Sequence, residues 1–222
     1  MELKLKIDLH VHTIHSNDAI SPVRDIILGA KKAGLDGIAI TDHNTTEGLD
    51  EARKEGKRHG IIVIRGQETR TKEGDVIALG PGKCIPKWQP VKKTIDDIHK
   101  MGGVAVAAHP YREIAHNTSI SGYLDCGFDA VEVVNSRSFF TNKKAKRKTE
   151  MLGLAKTAGS DAHRAEDVGN AYTIVAVKSK TEKDILDAIR AGKTEPVLAR
   201  YTSAYAFAVC VLGILLRKLK RL

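Results

Sequence analysis

Cysteine is scarce in this 222-residue chain. Cys84, Cys126 and Cys210 are odd in number, far apart and outside any CxxC spacing. That excludes a disulfide framework and a thiolate metal cluster, and it reads as reduced thiols in a cytoplasmic protein. Aromatic residues make up 5% of the chain, with one Trp. There is no internal repeat and no low-complexity tract, which excludes solenoids and disordered tails. No N-terminal apolar run is long enough for a signal peptide, because Asp8 and His10 interrupt it. Residues 204–216 carry no charge, but 13 residues fall short of the roughly 20 that a spanning helix needs.

What remains is an ordinary globular composition, 42% hydrophobic and 28% charged, in a chain long enough to bury a core. The formal net charge is +9. Lys143, Lys144, Lys146, Arg147 and Lys148, with Arg217, Lys218, Lys220 and Arg221, account for the whole excess. Each cluster reads either as a solvated face or as a surface for polyanions.

Short apolar, β-rich runs alternate with helical patterns, the signature of a parallel α/β layout. Strands are expected over about 3–9, 36–41, 61–65, 104–108, 129–134 and 172–177, with a hairpin over 69–80 turning at 73–75. A short further strand leads to Gly159. Helices are expected over 21–32, with Ser21 as N-cap and Pro22 in the first turn, and over 46–59, 91–101, 142–155 and 181–192.

Acid and imidazole side chains recur where these apolar runs end. His10 and His12 follow Leu3, Leu5 and Ile7, and i and i+2 on a strand share a face. Asp42-His43 follows residues 37–40, Glu68 follows 61–64, and His109 follows 104–108. Asp161 and His163 follow a Gly-Ser turn. Barrels and open α/β sheets both place their sites at such strand ends. Neutral imidazoles with a few carboxylates suit Mn, Fe or Zn better than Mg or Ca.

The successive segments Asp8-Leu-His10-Val-His12 with Asp18, Ile40-Thr-Asp42-His43, Gly66-Gln-Glu68, Ala108-His109-Pro110 and Gly159-Ser-Asp161-Ala-His163 resemble the ordered motifs of the PHP (polymerase and histidinol phosphatase) family. That group comprises metal-dependent phosphoesterases. The resemblance covers about residues 5–195. It implies a distorted (β/α)7 TIM-like barrel, placed over residues 1–198. Residues 199–222, beyond the resemblance, read from their own composition as an apolar helix with a basic end: a core-packing or oligomer helix, an interfacial anchor, or a tilted short span.

The resemblance also implies two or three divalent ions. His10, His12 and Asp161 would hold the first. Glu68 would bridge it to a second on His109, and Asp18, His43 and His163 would hold the third. Asp8 and Asp42 would orient imidazoles or serve as weaker ligands, with a helix cap as the other reading of Asp42. Many relatives carry a further histidine in the hairpin after the bridging glutamate. Here Asp75 is the one substitute, or else a turn residue. Arg112 and Arg137, just past strand ends, would grip a phosphoryl group. Tyr111, Asn135, Phe139 and Phe140 are weaker pocket candidates. His59 and His99 read as surface residues at helix ends, while His15, between ligands, and His116, in a loop near the site, read as bystanders with substrate contact as the other reading.

The expected activity is hydrolysis of a phosphomonoester, nucleotide or oligonucleotide phosphate by a metal-activated water. Alternatives are histidinol-phosphate phosphatase, an amidohydrolase, and a non-catalytic metal-binding module tethered to a membrane or partner. Expected partners are a small phosphorylated substrate or a nucleic-acid end. Residues 201–222 would provide membrane-surface association or self-association.

Overall fold

The computed structural model describes residues 2–112 and 119–219. His116, Lys220 and Arg221 lie outside the described residues. Among the described residues, nine strands form one sheet: β1 (Leu3–Val11), β2 (Gly37–Ile40), β3 (Ile62–Arg70), β4 (Asp75–Leu79), β5 (Val104–Ala107), β6 (Ala130–Asn135), β7 (Ala155–Gly159), β8 (Ala171–Val177) and β9 (Thr194–Leu198). Six α-helices accompany them among the same residues: α1 (Val23–Lys32), α2 (Leu49–His59), α3 (Val91–Lys100), α4 (Asn142–Leu152), α5 (Glu182–Arg190) and α6 (Ala204–Leu219).

The sheet runs β7-β6-β5-β4-β3-β2-β1-β8-β9 and curls until its ends approach. Beyond β7 the chain returns to β1. Asp161 N–H donates to the His10 carbonyl at 2.8 Å, and His12 N–H to the Ala162 carbonyl at 2.9 Å. The result is the expected barrel, nearly closed. Pairing is parallel among β1, β2 and β3 and among β5, β6 and β7, but antiparallel on both sides of β4. The antiparallel β8 and β9 extend the sheet beyond β1.

Alternation along the strands separates an inner from an outer apolar set. Leu5, Ile7, Ala39, Ile64, Ile77, Leu79, Val104 and Val106 line the inside. Ile185, Leu186 and Ile189 of α5 join them and plug the end of the barrel where β1 starts. Outer residues such as Ile38, Ile40, Val76, Val131 and Val133 pack under α1, α3 and α4.

Three expectations are corrected. The third strand and the first arm of the hairpin are one strand, β3, which pairs with β2 over 62–65 and with β4 over 66–70. Pro22 itself is the N-cap of α1, and Ser21 Oγ instead accepts from Ala165 N–H. Strand β9 was not expected, because its sequence TEPVL lacks a clear two-residue alternation. Thr181 caps α5 as read, accepting from Asp184 N–H. No described helix is long and apolar enough to cross a membrane.

Candidate metal centre

The site starts from an irregularity in β1. Leu5, Ile7 and Leu9 face the barrel interior, so strict alternation would turn His10 and His12 outward. The register against β2 shifts between Asp8 and Val11. This bulge reverses the parity, so Val11 packs outside while both histidines turn into the barrel. Gly159 permits the neighbouring strand to come close, since a Cβ there would collide with the His10 side chain.

Around these imidazoles the strand ends converge. Glu68 Oε2 lies 3.3 Å from His10 Nε2, 3.3 Å from His12 Nε2 and 3.0 Å from His43 Nδ1. Glu68 Oε1 accepts from His109 Nε2 at 3.0 Å. Asp161 Oδ1 lies 3.5 Å from His12 Nε2 and 3.7 Å from His10 Nε2. Asp18 Oδ2 lies 3.2 Å from His43 Nε2 and 3.3 Å from His163 Nε2. All eight residues read from the sequence as ligands therefore meet at one mouth of the barrel. Seven of them have donor atoms within 4.8 Å of one another in three groups: His10–His12–Asp161, His10–Glu68–His109 and His12–His43–His163; Asp18 joins none, and His12 stands with His43 and His163 where the sequence reading put Asp18.

Two imidazoles are held from behind. His10 Nδ1 donates to Glu132 Oε1 at 2.9 Å. His12 Nδ1 donates to Ser16 Oγ at 3.1 Å, and Ser16 Oγ donates to Asp42 Oδ1 at 2.9 Å. Each bond fixes a proton on Nδ1, so Nε2, aimed inward, is the nitrogen that a cation would take. Asp42 thus orients an imidazole through Ser16 and is no helix cap; α2 is preceded by Gly48.

Asp8 departs from its expected role. Its oxygens accept from Ser160, Gly169 and His10 backbone N–H groups and touch no imidazole. It pins the β7 turn to β1. Burial pushes its carboxyl up to about 6, against the N–H groups that favour its charged form.

Glu132 was missed in the sequence. It stands alone in the apolar run Ala-Val-Glu-Val-Val of β6, and that isolation was the available signal. Its second oxygen accepts from His109 N–H and from Asn135 Nδ2. Asn135 also donates to Asp161 Oδ2, so it ties two carboxylates together from a fully buried position.

His109 and Asp161 adopt positive φ, 27° and 54°. Strain of this kind costs roughly 1–3 kcal/mol per residue and collects at functional sites. The electrostatics are equally unusual. Burial lowers the His163 imidazole to about 4, helped by nearby His12, so it is neutral at pH 7. Burial alone would neutralise His10, but Glu132, Glu68 and Asp161 hold it protonated well above its ordinary range. Glu68 is held well below its ordinary range by His10 and His43, which overcome its burial. Asp161 likewise stays ionised in spite of burial, through Arg112 and His10.

Arg112 donates to Asp161 Oδ2 at 2.6 Å, and Arg137 lies 3.6 Å from Asp161 Oδ1. Both line a cavity of about 560 Å³ with Glu68, His109 and His163, and Thr202, Ser203 and Ala204 form another part of its wall. Asp75 lines the same cavity. It is the buried first residue of β4 and not a turn residue, and it pairs with Arg70 Nε at 2.6 Å. Among the described residues it joins none of the three donor groups. The other histidines lie away from the donors: His15 faces Glu47, His59 faces Glu55, and His99 bonds to Asp129.

These residues fit metal ions. Glu68 Oε2 is buried and makes no hydrogen bond, although three imidazole nitrogens surround it. A cation between those atoms would satisfy the oxygen and replace protons on His10 and His43.

A family model described as PHP-associated matches residues 140–194. An uncharacterised protein of Methanocaldococcus jannaschii is 38% identical over 142 residues, covering 60% of this chain and 82% of that protein. A protein of Shewanella loihica named "Probable phosphatase" is 30% identical over 207 residues, covering 75% of this chain and 81% of its own. A two-domain protein of Bacteroides vulgatus, containing a predicted PHP-like metal-dependent phosphoesterase, superposes with a TM-score of 0.74 at 20% identity. The match covers 89% of this chain and 65% of that one, and it shows a shared fold. With the ordered motifs gathered at one barrel mouth, these likenesses place the chain in the PHP family of metal-dependent phosphoesterases.

Proposed function

We propose that the chain hydrolyses a phosphate ester in the 560 Å³ cavity, with divalent ions held by His10, His12, Asp18, His43, Glu68, His109, Asp161 and His163. The observation that carries this reading is Glu68 Oε2, a buried and unbonded oxygen ringed by three imidazole nitrogens. Bound ions would lower the pKa of water towards 7 and neutralise phosphate charge. The donor set of imidazoles and carboxylates suits Mn, Fe or Zn.

The chain's own residues do the rest. Glu132 and Ser16 hold the tautomers of His10 and His12. Asp161 would connect bound ions to an arginine, because it faces His10 and His12 on one oxygen and Arg112 on the other. Arg112 and Arg137 lie on the cavity wall, within reach of a phosphoryl group that approaches Asp161. Their planar donors match phosphate oxygens in pairs. The cavity accommodates a phosphomonoester or the end of a nucleotide chain.

The test is metal analysis of the purified protein, followed by Mn-supplemented assays on phosphomonoesters, nucleoside 3′,5′-bisphosphates and short oligonucleotides. Substoichiometric metal after reconstitution, with no turnover on any of these, would refute the reading and favour a non-catalytic module.

A further inference from the structure

Helix α4 runs against the helix dipole at both ends, whereas α3 lacks only the first-turn acid and has bases in its last turn. Helices α1, α2 and α5 carry acids in the first turn and bases in the last, as the helix dipole favours. Helix α4 has no acid in its first turn and no base in its last. Lys143 and Lys144 occupy its N-terminal turn, where the dipole repels cations. Lys143 with Arg147, and Lys144 with Lys148, place like charges at i and i+4, which destabilises a helix further. Among the described residues, none of these four has an ion pair with an acid. The helix is nevertheless fixed to the site. Asn142 exchanges two hydrogen bonds of 3.1 Å with the Asn135 backbone, and Ala145 and Thr149 are buried against the barrel.

Its opposite face is open, and chain neighbours tie it to the metal cavity: Tyr111 precedes Arg112, and Phe140 follows Phe139. Lys143, Lys144, Arg147 and Lys148 line a hollow of about 420 Å³ with Tyr111, the neighbour of Arg112. Lys144 Nζ lies 4.5 Å from the Tyr111 ring centre. Phe140, just before the helix, is 96% exposed, while adjacent Phe139 lines the cavity. On the far side the cleft continues past His43 and Arg70 to Lys87 and half-exposed Trp88. Cations and partly exposed aromatic rings therefore flank the cavity on two sides. A small phosphomonoester would reach neither flank.

We infer that the α4 face, with Tyr111 and Phe140, is a track for single-stranded nucleic acid that leads its phosphates to the metal cavity. The inference rests on the phosphoesterase reading for what happens in the cavity, but the track itself binds without it. Phosphates match the row of cations, and bases stack on exposed rings. Phe140 can stack only on an unpaired base, so the track prefers single strands to duplex. An anionic lipid surface would satisfy the cations but gives no use to two flanks around a cavity.

The test measures binding of the full chain to a fluorescent 12-nucleotide single strand by anisotropy, in EDTA so that turnover plays no part. The K144E/R147E double variant should bind at least about tenfold more weakly. Four phosphate contacts give a salt slope near −2.8 at about −0.7 each, and losing two should reduce it by about 1.4. Phe140→Ala should weaken single-strand binding about tenfold and leave duplex binding unchanged. Hydrolysis of p-nitrophenyl phosphate with Mn should be the same in all three proteins. Unchanged oligonucleotide affinity in the double variant overturns the track. So does α4-dependent binding to phosphatidylserine-containing vesicles without oligonucleotide binding, which assigns the face to a membrane. Absent phosphatase activity with α4-dependent oligonucleotide binding would instead refute the reading of the cavity and leave the track standing.

Discussion

The barrel mouth and the outer face of α4 both concentrate charge, and they handle it in opposite ways. At the mouth, cations and anions are buried within 4 Å of one another, and Glu132, Asn135 and Ser16 fix their orientations from behind. On α4, Lys143, Lys144 and Arg147 stand in solvent and Lys148 is half-buried, with no acid paired to them among the described residues. Desolvated charges are affordable only in a network, because an uncompensated one costs several kcal/mol. Exposed charges cost almost nothing, so their placement is free to follow a ligand. Single substitutions at the mouth should therefore have large effects that spread. Those on α4 should have small effects confined to binding.

The largest effect is expected at Glu68, the residue common to the most partners. Glu68→Gln keeps the shape and removes the charge that faces three imidazoles. Most bound metal should be lost, with turnover reduced by ~1000-fold or more, beyond the 10–100-fold typical of groups that only support ligands. Metal analysis with steady-state kinetics checks this. His59→Ala, at the end of α2 beside Glu55, should change neither quantity. Equal, modest losses in both variants would break the contrast between mouth and surface.

Glu132 sharpens the same contrast, since it supports ligands without reaching the cavity. Glu132→Gln should weaken metal binding roughly 10–100-fold through the loss of its hold on His10. Excess metal should restore much of the turnover, because all eight donors remain. Arg112→Ala should do the converse. Metal content should hold, while kcat/KM falls roughly ten- to a hundredfold, or about 1.4–3 kcal/mol of phosphate binding. A metal-poor Arg112 variant would mean that the guanidinium serves Asp161 and not substrate.

How much of this was legible depended on whether a residue acts alone or through a register. Ligands at the ends of apolar runs could be read one by one, because His109 and Asp161 each close a short motif. The bulge in β1 could not be read. It shows only in the register against β2 and in the hydrogen bonds to the turn after β7, which the folded barrel brings together. Glu132 was hidden for the same reason, since its partner His10 is 122 residues away. Asp75 looked like a turn residue because Gly74 precedes it, yet strand pairing with Arg70 carries it inside.

The smallest effect concerns residues 199–222, where the mouth meets the exposed surface. All eight proposed metal donors precede Arg164, and β9 ends at Leu198 with its ladder to β8 complete. A chain ended at Ala199 should therefore fold and bind metal. It would lose the two hydrogen bonds between Thr202 and Ser136, at 2.7 and 3.0 Å, and the stacking of Tyr201 on Phe139 at 4.7 Å. At about 1 kcal/mol per hydrogen bond, the melting temperature should fall by several degrees. The cavity also loses the wall formed by Thr202, Ser203 and Ala204. KM for a small phosphoester should shift only severalfold, because the ions and arginines remain. Full-length chain should lose any affinity for anionic vesicles once shortened, if Arg217 and Lys218 supply it. Calorimetry, metal analysis and a KM comparison decide the matter. An insoluble or metal-free product would show that 199–210 belongs to the barrel, and that the surface helix is part of the mouth.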